Sequence, residues 1–264
     1  MQKGVIVVKI GGSTLGNRDT TLEDLVELQK QDRPLVVVHG GGKVTSEWLA
    51  RMGIPTSFVE GLRITDAETL KVAAATLGGL VNKELVAAIQ SLGGKAVGLS
   101  GCDGNLFRAS VKRPELGYVG EIVAVDTALL NLLLNGGYMP VVAPISFGSI
   151  EGQTMLLNIN GDTAAGEIAA ALAAEKLIFL TDVDGIHDRS GKAIPRLNPT
   201  EAKNMADSGI ASGGMIPKIE ASLRALTTTK VVHIIDGRTS HALLDDIGGQ
   251  AQKTKSGGTT IVAE

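Results

Sequence analysis

The segment VIVVKIGG, residues 5–12, predicts a particular kind of β-strand. Its apolar residues are consecutive and do not alternate with polar ones, which is typical of a strand buried on both faces of a parallel sheet. Lys9 is the exception, because an unpaired ammonium group is costly to bury. Gly11 and Gly12 then end the strand with backbone N–H groups that an anion can approach closely. We therefore expect a central strand with an anion at its carboxyl end.

Similar runs and helical patterns alternate along the rest of the chain. The further strand-like runs are Leu35–His39, Lys95–Ser100, Met139–Ala143, Lys176–Thr181, Val231–Ile235 and Thr259–Val262. The helical patterns are Leu22–Gln31, Lys43–Met52, Asp66–Leu92, Thr127–Leu134, Thr163–Ala174 and Pro217–Leu226. This order predicts an α/β fold, a three-layer αβα sandwich around a central, mostly parallel open sheet. We expect one domain, with an N-terminal lobe of about residues 1–150 and a C-terminal lobe of about 151–264.

Two local features qualify this pattern. Residues 65–68, Thr-Asp-Ala-Glu, predict a capping box at the start of the third helix, and Gly78-Gly79 predict a break inside it. The turn-rich segment Cys102–Asp126 interrupts the alternation, so we expect it to form hairpins outside the main sheet.

The composition excludes several classes of protein. The 264 residues are 44% hydrophobic and 20% charged, which is enough apolar material for a packed core. The net charge of −3, without a basic stripe, argues against a nucleic-acid binder. The single cysteine, Cys102, excludes an intramolecular disulfide and a thiolate zinc site. No uninterrupted apolar run reaches the ~18 residues of a membrane span, and a strand starting near Gly4 leaves no room for a signal peptide, so we expect a soluble, cytoplasmic protein.

Glycines follow two of the predicted strands. Besides Gly11 and Gly12, the segment VVVHGGGK at residues 36–43 runs from a strand through three glycines into a helix. Glycine N–H groups together with a helix N-terminus form an anion site. The simpler alternatives are that Lys9 is an edge-strand lysine reaching water and that the three glycines only permit a sharp turn.

Three later segments supply further candidate residues. In NINGDT (158–163), Asp162 is either the N-cap of the next helix or the partner that neutralises Lys9. In GGMIPK (213–218), Lys218 either faces solvent or binds an anion that offsets its unfavourable interaction with the helix dipole, roughly 0.3–1 kcal/mol. The segment TDVDGIHD (181–188) follows a strand at its carboxyl end, where open α/β sheets bind ligands, or it is a plain Asp-Gly turn.

Several common catalytic motifs are absent from the sequence. There is no P-loop, because Gly42-Lys43 is followed by Val44, and there is no G-x-G-x-x-G after any predicted strand. The segment Gly98–Cys102 departs from the G-x-S-x-G elbow at its last residue. The four histidines have no metal-ligand spacing. Ordinary hydrolase and dehydrogenase functions therefore lose support.

The glycine-rich and charged segments together, in their order and spacing, resemble the amino-acid kinase family, and within it the kinases that act on N-acetyl-L-glutamate. The matching segments are KIGG (9–12), HGGG (39–42), GLRITD (61–66), VNKEL (81–85), GLSG (98–101), NINGD (158–162), TDVDGI (181–186) and GGMIPK (213–218). The resemblance implies ATP-dependent phosphorylation of the γ-carboxylate of N-acetyl-L-glutamate, a step of arginine biosynthesis, with the amino acid bound by the N-terminal lobe and MgATP by the C-terminal lobe.

The resemblance also implies a role for individual residues. Lys9 and Lys218 would stabilise the transferring phosphoryl group, and Asp162 would organise both lysines. The substrate-binding residues would be Gly41, Gly42, Arg63 and Asn158. The phosphate- and ATP-binding residues would be Gly11, Gly12, Thr181, Asp182, Val183, Asp184, Gly185, Ile186, Ser212, Gly213, Gly214 and Met215. No metal site made by side chains is expected, because the Mg²⁺ that accompanies ATP is held mainly by its phosphates.

Two other functions compete with this one. A kinase for glutamate or aminoadipate on an acidic carrier protein should present a basic surface, and no clear basic cluster is visible. A silent sensor of nucleotide or amino acid would be free to lose Lys9, Asp162 or Lys218, and all three are present.

The resemblance also has an implication for regulation. Arginine-inhibited members of the family carry an extra N-terminal helix that interlaces dimers into a hexamer. Because the first strand starts by Gly4, this helix is not expected here, which predicts an arginine-insensitive homodimer. The sequence does not say whether a PII-type regulator binds.

Overall fold

A single mixed sheet organises the fold. The computed structural model describes residues 4–11, 20–150, 152–248 and 257–262, and within these ranges eight strands form the main sheet. In spatial order the strands are β12 (Arg196–Leu197), β14 (Gly258–Val262), β13 (Val231–Asp236), β11 (Lys176–Thr181), β1 (Ile6–Ile10), β2 (Leu35–His39), β8 (Met139–Ala143) and β5 (Ala96–Ser100). Every neighbouring pair is parallel except β13–β14. Each of the seven predicted strands, the first of them Val5–Ile10, lies within one residue of its predicted bounds. Of the strands in this sheet, only the two-residue β12 was not predicted.

Helices cover both faces of this sheet. They are α1 (Thr21–Lys30), α2 (Gly42–Arg51), α3 (Ala67–Ala73), α4 (Asn82–Ser91), α5 (Ala128–Asn135), α6 (Gly161–Ala171), α7 (Pro199–Asp207), α8 (Met215–Ala225) and α9 (Ala242–Ile247). Successive residues of a strand face opposite sides, so Val7 packs into one apolar cluster and Ile6 and Val8 into another. Helices α5 to α8 contribute to the first cluster, and α1, α4 and α9 to the second. The predicted three-layer αβα sandwich with a mostly parallel sheet is therefore confirmed.

Two helices were not predicted from the sequence. Helix α7 has few apolar residues, although a capping box formed by Asn198 and Glu201 starts it. Helix α9 has only six residues, too few for a helical period to be visible.

The third predicted helix does not break at its glycines. A π-helix, Ala74–Val81, joins α3 to α4, so Gly78-Gly79 lie in a wider helical turn. The predicted N-cap was also one residue early, because Asp66 and not Thr65 accepts the hydrogen bond from Thr69 N–H.

Among the residues that the structure describes, this joined helix is the one element that resembles a membrane span. The helix Ala67–Ser91 is long and apolar enough to cross a membrane by length and composition alone, with 44% of its most apolar window buried inside the protein. The sequence prediction considered only uninterrupted apolar runs, so it did not identify this helix as long and apolar enough to span a membrane. Leu85 and Ile89 of α4 pack into the second apolar cluster, so this helix belongs to the core of the sandwich.

The segment that interrupts the α/β alternation forms part of a small barrel. Strands β6 (Phe107–Val111) and β7 (Val119–Val125) pair with β9 (Ile145–Ile150) and β10 (Gln153–Ile159) in a closed barrel beside the main sheet. The predicted hairpin outside the main sheet is present as β6–β7. The contribution of β9 and β10 was not predicted. Strand β10 leads directly into Asn160 and α6, so the barrel positions one side of the candidate site.

Candidate functional site

The carboxyl ends of three adjacent strands bring the glycine loops together. Ile10 at the end of β1 pairs with His39 of β2 and with Leu180 of β11. The Gly40 N–H donates to the Ile10 carbonyl at 2.9 Å, which fixes the start of the loop after β2. Helix α2 begins at Gly42, directly after this loop, and α6 begins against the end of β2, since a Cβ built on Gly161 would lie 3.4 Å from the His39 carbonyl oxygen. The N-terminus of a helix favours an anion.

Two lysines from different parts of the chain meet one carboxylate at this edge. Lys9 Nζ lies 2.7 Å from Asp162 Oδ1, and Lys218 Nζ donates to Asp162 Oδ2 at 3.1 Å. The three side chains are 9%, 8% and 11% exposed in the order Lys9, Asp162, Lys218, so the cluster is nearly closed to water. Burial alone would raise the pKa of Asp162, but the charges and hydrogen bonds of the two lysines outweigh it and hold that pKa below its usual value. The cluster thus carries a net positive charge.

Asp162 is free to bind both lysines because another residue caps its helix. The N-cap of α6 is Asn160, whose Oδ1 accepts from the N–H groups of Asp162 and Thr163 at 2.9 and 3.0 Å. The N-cap alternative for Asp162 is therefore wrong, and its position in the first turn directs its carboxylate at the lysines. The other interpretation of the sequence, in which Asp162 is the partner that neutralises Lys9, agrees with the observed contact.

A small cavity beside this cluster is lined by an arginine that has an unpaired guanidinium nitrogen. The cavity, about 170 Å³, is lined by residues that include Gly40–Gly42, Arg63, Asn158 and Gly161. Arg63 Nη2 donates to the Gly42 carbonyl at 2.8 Å and to Ser46 Oγ at 2.7 Å. Its Nη1 is buried and has no partner among the described residues. A buried, unpaired cationic donor is costly unless a ligand satisfies it, and a carboxylate is the natural partner.

Neighbouring residues hold Arg63 in place. Phe58 places its ring 4.7 Å below the guanidinium carbon, a cation–π contact. Thr65 Oγ1 donates to the Arg63 carbonyl at 2.9 Å and accepts from Asn158 Nδ2 at 3.1 Å, so the two predicted substrate residues are linked through Thr65. Sequence reasoning missed Ser46, Phe58 and Thr65. Ser46 lies one helical turn after Gly42, and that spacing was the only available signal for it.

A second cavity, about 370 Å³, lies beside Lys218 of the lysine cluster. Its lining includes Lys218 and the predicted nucleotide residues Thr181, Asp182, Val183, Gly185, Ile186, Ser212, Gly214 and Met215. Asp184 is absent from this lining, and its carboxylate contacts His187 Nε2 at 2.6 Å. Gly213 is absent as well. Its carbonyl instead lies beside Gly61, at the tip of the short hairpin formed by β3 (Phe58–Val59) and β4 (Leu62–Arg63).

The first glycine pair gives a mixed result. The Gly11 N–H donates to the Leu180 carbonyl at 3.0 Å, so this amide continues the sheet and does not face a phosphate as predicted. The cause is the parallel register, which extends the β1–β11 ladder by one residue past Ile10. Gly12 lies outside the described residues, so its role stays a prediction.

The chain is similar to acetylglutamate kinases and to an N-acetylglutamate synthase. An acetylglutamate kinase of Dehalococcoides mccartyi is 43% identical over 263 residues, covering 98% of this chain and 95% of its own. An acetylglutamate kinase of Cereibacter sphaeroides is 45% identical over 247 residues, covering 92% of this chain and 84% of its own. Among solved structures, N-acetylglutamate synthase from Neisseria gonorrhoeae, complexed with coenzyme A and N-acetyl-glutamate, matches with a TM-score of 0.82 at 28% identity, over all of this chain and 60% of its own.

More distant similarity extends to the fold alone. Carbamate kinase from Giardia lamblia bound to AMP-PNP matches with a TM-score of 0.71 at 14% identity, covering 99% of each chain. The sequence profile of the amino acid kinase family matches residues 4–236, which include Lys9, Arg63, Asp162 and Lys218. The chain belongs to the amino acid kinase family.

Proposed function

We propose that this chain transfers the γ-phosphoryl group of ATP to the γ-carboxylate of N-acetyl-L-glutamate, the phosphorylation that acetylglutamate kinases contribute to arginine biosynthesis. The observation that carries the proposal is the Lys9–Asp162–Lys218 cluster beside two cavities, one lined by Arg63 with its unpaired nitrogen and the other lined by Lys218 and the nucleotide segments. The relatives named acetylglutamate kinase support the choice of substrate.

Arg63 and Asn158 recognise the amino-acid part of the substrate in this proposal. Arg63 is already fixed by Gly42 and Ser46, so it can bind a carboxylate with little further loss of side-chain entropy. Gly41 and Gly42 also line the cavity, and their N–H groups are further donors to the substrate. Bound in this way, the substrate directs its γ-carboxylate at the lysine cluster.

The phosphoryl transfer needs charge stabilisation more than proton transfer. A γ-carboxylate is ionised at pH 7, since free Glu has a pKa of about 4.3, so no general base is required. A carboxylate oxygen bonds to the γ-phosphorus of ATP, and the bond from that phosphorus to the β–γ bridging oxygen breaks. The products are N-acetyl-L-glutamyl 5-phosphate and ADP. Lys9 and Lys218 offset the repulsion between two anions and stabilise the charge on the transferring group.

Asp162 acts in this scheme by positioning the two lysines. Both of its oxygens already contact an ammonium group, so its carboxylate is not available to a metal ion. Magnesium therefore enters as MgATP, with the phosphate oxygens as its main ligands. The nucleotide cavity contributes Lys218 and backbone groups at the N-terminus of α8 toward those phosphates.

We also propose the organisation of the protein around this chemistry. The N-terminal lobe, about residues 1–150, binds the amino acid and forms a homodimer, and the C-terminal lobe, about residues 151–264, binds ATP. The protein is cytoplasmic, as expected for an enzyme of amino-acid biosynthesis. The oligomeric state can be checked by light scattering of the purified chain.

Replacement of Lys218 tests the proposed function directly. Lys218→Ala should lower kcat on the order of 100-fold or more, because an electrostatic contact to the transferring group is lost. The Kd of N-acetyl-L-glutamate, measured by calorimetry, should stay within about threefold, since Lys218 lies on the nucleotide side. Lys176→Ala, which removes a lysine bonded to buried Asp246 outside the site, is the matched control. A kcat unchanged in Lys218→Ala would remove the residue from the mechanism.

A further inference from the structure

One buried histidine next to the substrate cavity has no part in the chemistry described above. His39, the last residue of β2, is fully buried and precedes the three glycines. Its Nδ1 lies 2.7 Å from the carbonyl oxygen of Gly40, and its Nε2 lies 3.1 Å from Nδ2 of Asn82 on α4. Both contacts are directed at fixed groups of the fold, and neither ring nitrogen faces the cavity.

The partners of the two ring nitrogens determine which one carries the proton. The Gly40 carbonyl can only accept, so His39 Nδ1 must donate to it. Asn82 Nδ2 also lies 2.9 and 3.3 Å from the carbonyls of Val141 and Leu99, which identifies it as the amide nitrogen, and Nε2 facing this donor carries no proton. The ring is therefore neutral and in a single tautomer.

The electrostatics around the ring agree with this assignment. Burial lowers the pKa of His39 to about 4, the contact with Gly40 opposes the shift, and the charges of Lys9 and Lys83 add to it. Those two lysines are the charged groups that shift its pKa, and no carboxylate contributes to that shift. The tautomer is thus unchanged by pH across the physiological range.

The Gly40 carbonyl determines how the next peptide faces the cavity. In a trans peptide the C=O and the following N–H point in opposite directions, so holding the Gly40 carbonyl at His39 turns the Gly41 N–H away from the ring. That N–H has no acceptor in the described ranges, and Gly41 lines the substrate cavity. On its other side Gly41 lies close to Leu77, since a Cβ there would lie 2.6 Å from Leu77 Cδ2. The loop is therefore packed between His39 and the helix that contains Leu77.

We propose that His39, oriented by Asn82, is a positioning residue that aims the Gly41 N–H at the bound anion. This inference rests on the proposed phosphoryl transfer, because the anion is the acceptor carboxylate or the transferring phosphoryl group. Displacing a contact of the reacting groups by about 1 Å can cost on the order of 100-fold in rate, so loss of this bond should be visible in kcat.

Two amide variants distinguish the hydrogen bonds of the two ring nitrogens. In His39→Asn the side-chain nitrogen is as many bonds from Cα as Nδ1, so the bond to Gly40 is retained and the one to Asn82 is lost. In His39→Gln the amide reaches the position of Nε2, so the contact with Asn82 is retained and the one with Gly40 is lost. Each variant loses one hydrogen bond, and similar losses of stability are expected. Only His39→Gln should lower kcat by about 10- to 100-fold, whereas His39→Asn should retain at least about a third of the wild-type value.

The control and a measurement on the wild-type chain complete the test. His233→Leu removes a histidine of β13 that contacts Asp246 of α9, and it should lower Tm without lowering kcat. Ring ¹⁵N NMR of the unsubstituted protein should show His39 protonated at Nδ1 only, without titration between pH 5.5 and 8. Equal kcat values for the Asn and Gln variants, or a ring protonated at Nε2 in the wild type, would overturn the proposal. If ADP formation is absent even in the wild type, the proposed function fails, and the NMR result still tests the tautomer.

Discussion

The charge of Asp162 offers the most quantitative test of the site. Asp162→Asn keeps the shape of the side chain but leaves two ammonium groups, originally 2.7 and 3.1 Å from its oxygens, in a place nearly closed to water. At an effective dielectric constant of about 20, each contact represents roughly 5–6 kcal/mol of Coulomb attraction before desolvation is subtracted. Removing one partner of a buried ion pair costs about 3–5 kcal/mol in practice. We expect the free energy of unfolding to fall by that amount, together with a loss of kcat.

The assay is urea unfolding followed by circular dichroism, with ADP release measured in parallel. Because the folded-state pKa of Asp162 is depressed, its contribution is present at neutral pH and is lost as pH falls through the folded pKa. The gap between wild type and variant should therefore narrow below pH 4. Adding Lys218→Met to Asp162→Asn removes one uncompensated charge and should recover part of the stability.

A matched carboxylate elsewhere provides the control. Asp246 is 2% exposed and also contacts two basic groups, Lys176 and His233, outside the two cavities of the site. Asp246→Asn should lose stability to a similar extent and keep kcat within about twofold. A loss below about 1 kcal/mol for Asp162→Asn, or a double variant no more stable than the single one, would refute the electrostatic reasoning.

Three further predictions follow from named contacts. Arg63→Lys should raise KM for N-acetyl-L-glutamate about 10- to 100-fold in steady-state kinetics, because a lysine lacks the planar fork whose one nitrogen holds Gly42 while the other stays available to a carboxylate. An unchanged KM would contradict this. Ser46→Ala removes one hydrogen bond to Arg63, so KM should rise only about two- to tenfold, with kcat as the internal control. In His39→Asn, the urea midpoint of unfolding should depend less on pH than in the wild type. Between pH 6.5 and about 4, His39 of the unfolded wild-type chain binds a proton that the folded residue does not, so wild-type stability falls by up to about 3 kcal/mol as the pH is lowered. Equal pH slopes for the two proteins would contradict that assignment.

The sequence was most informative where burial and backbone chemistry act locally. Consecutive apolar residues predicted the strands of the main sheet, because a strand buried on both faces has no polar side to show. Lys9 was identifiable because a cation within such a run needs a partner. The glycines after β2 marked a helix start, and the structure places α2 one residue before the predicted position.

What the sequence could not supply were contacts between distant segments. The bond of Arg63 to Ser46 and the contact of Asn82 with His39 each join residues far apart in the chain, and single-sequence patterns do not report such pairs. Glycine propensity predicted a break at Gly78-Gly79, but the helix continues through these residues as a π-helix, whose Leu77 and Val81 pack into the apolar core. The Gly11 amide was assigned to a phosphate because the register of β1 against β11 was unknown.

The central claim is that the chain phosphorylates N-acetyl-L-glutamate on its γ-carboxylate, and trapping the product tests it most directly. Incubating the purified chain with MgATP and hydroxylamine converts an acyl phosphate to a stable hydroxamate. Hydroxamate formed with N-acetyl-L-glutamate, and far less with L-glutamate at equal concentration, is the expected result. Folded protein that forms hydroxamate with neither substrate, while still binding MgATP, would contradict the proposed function.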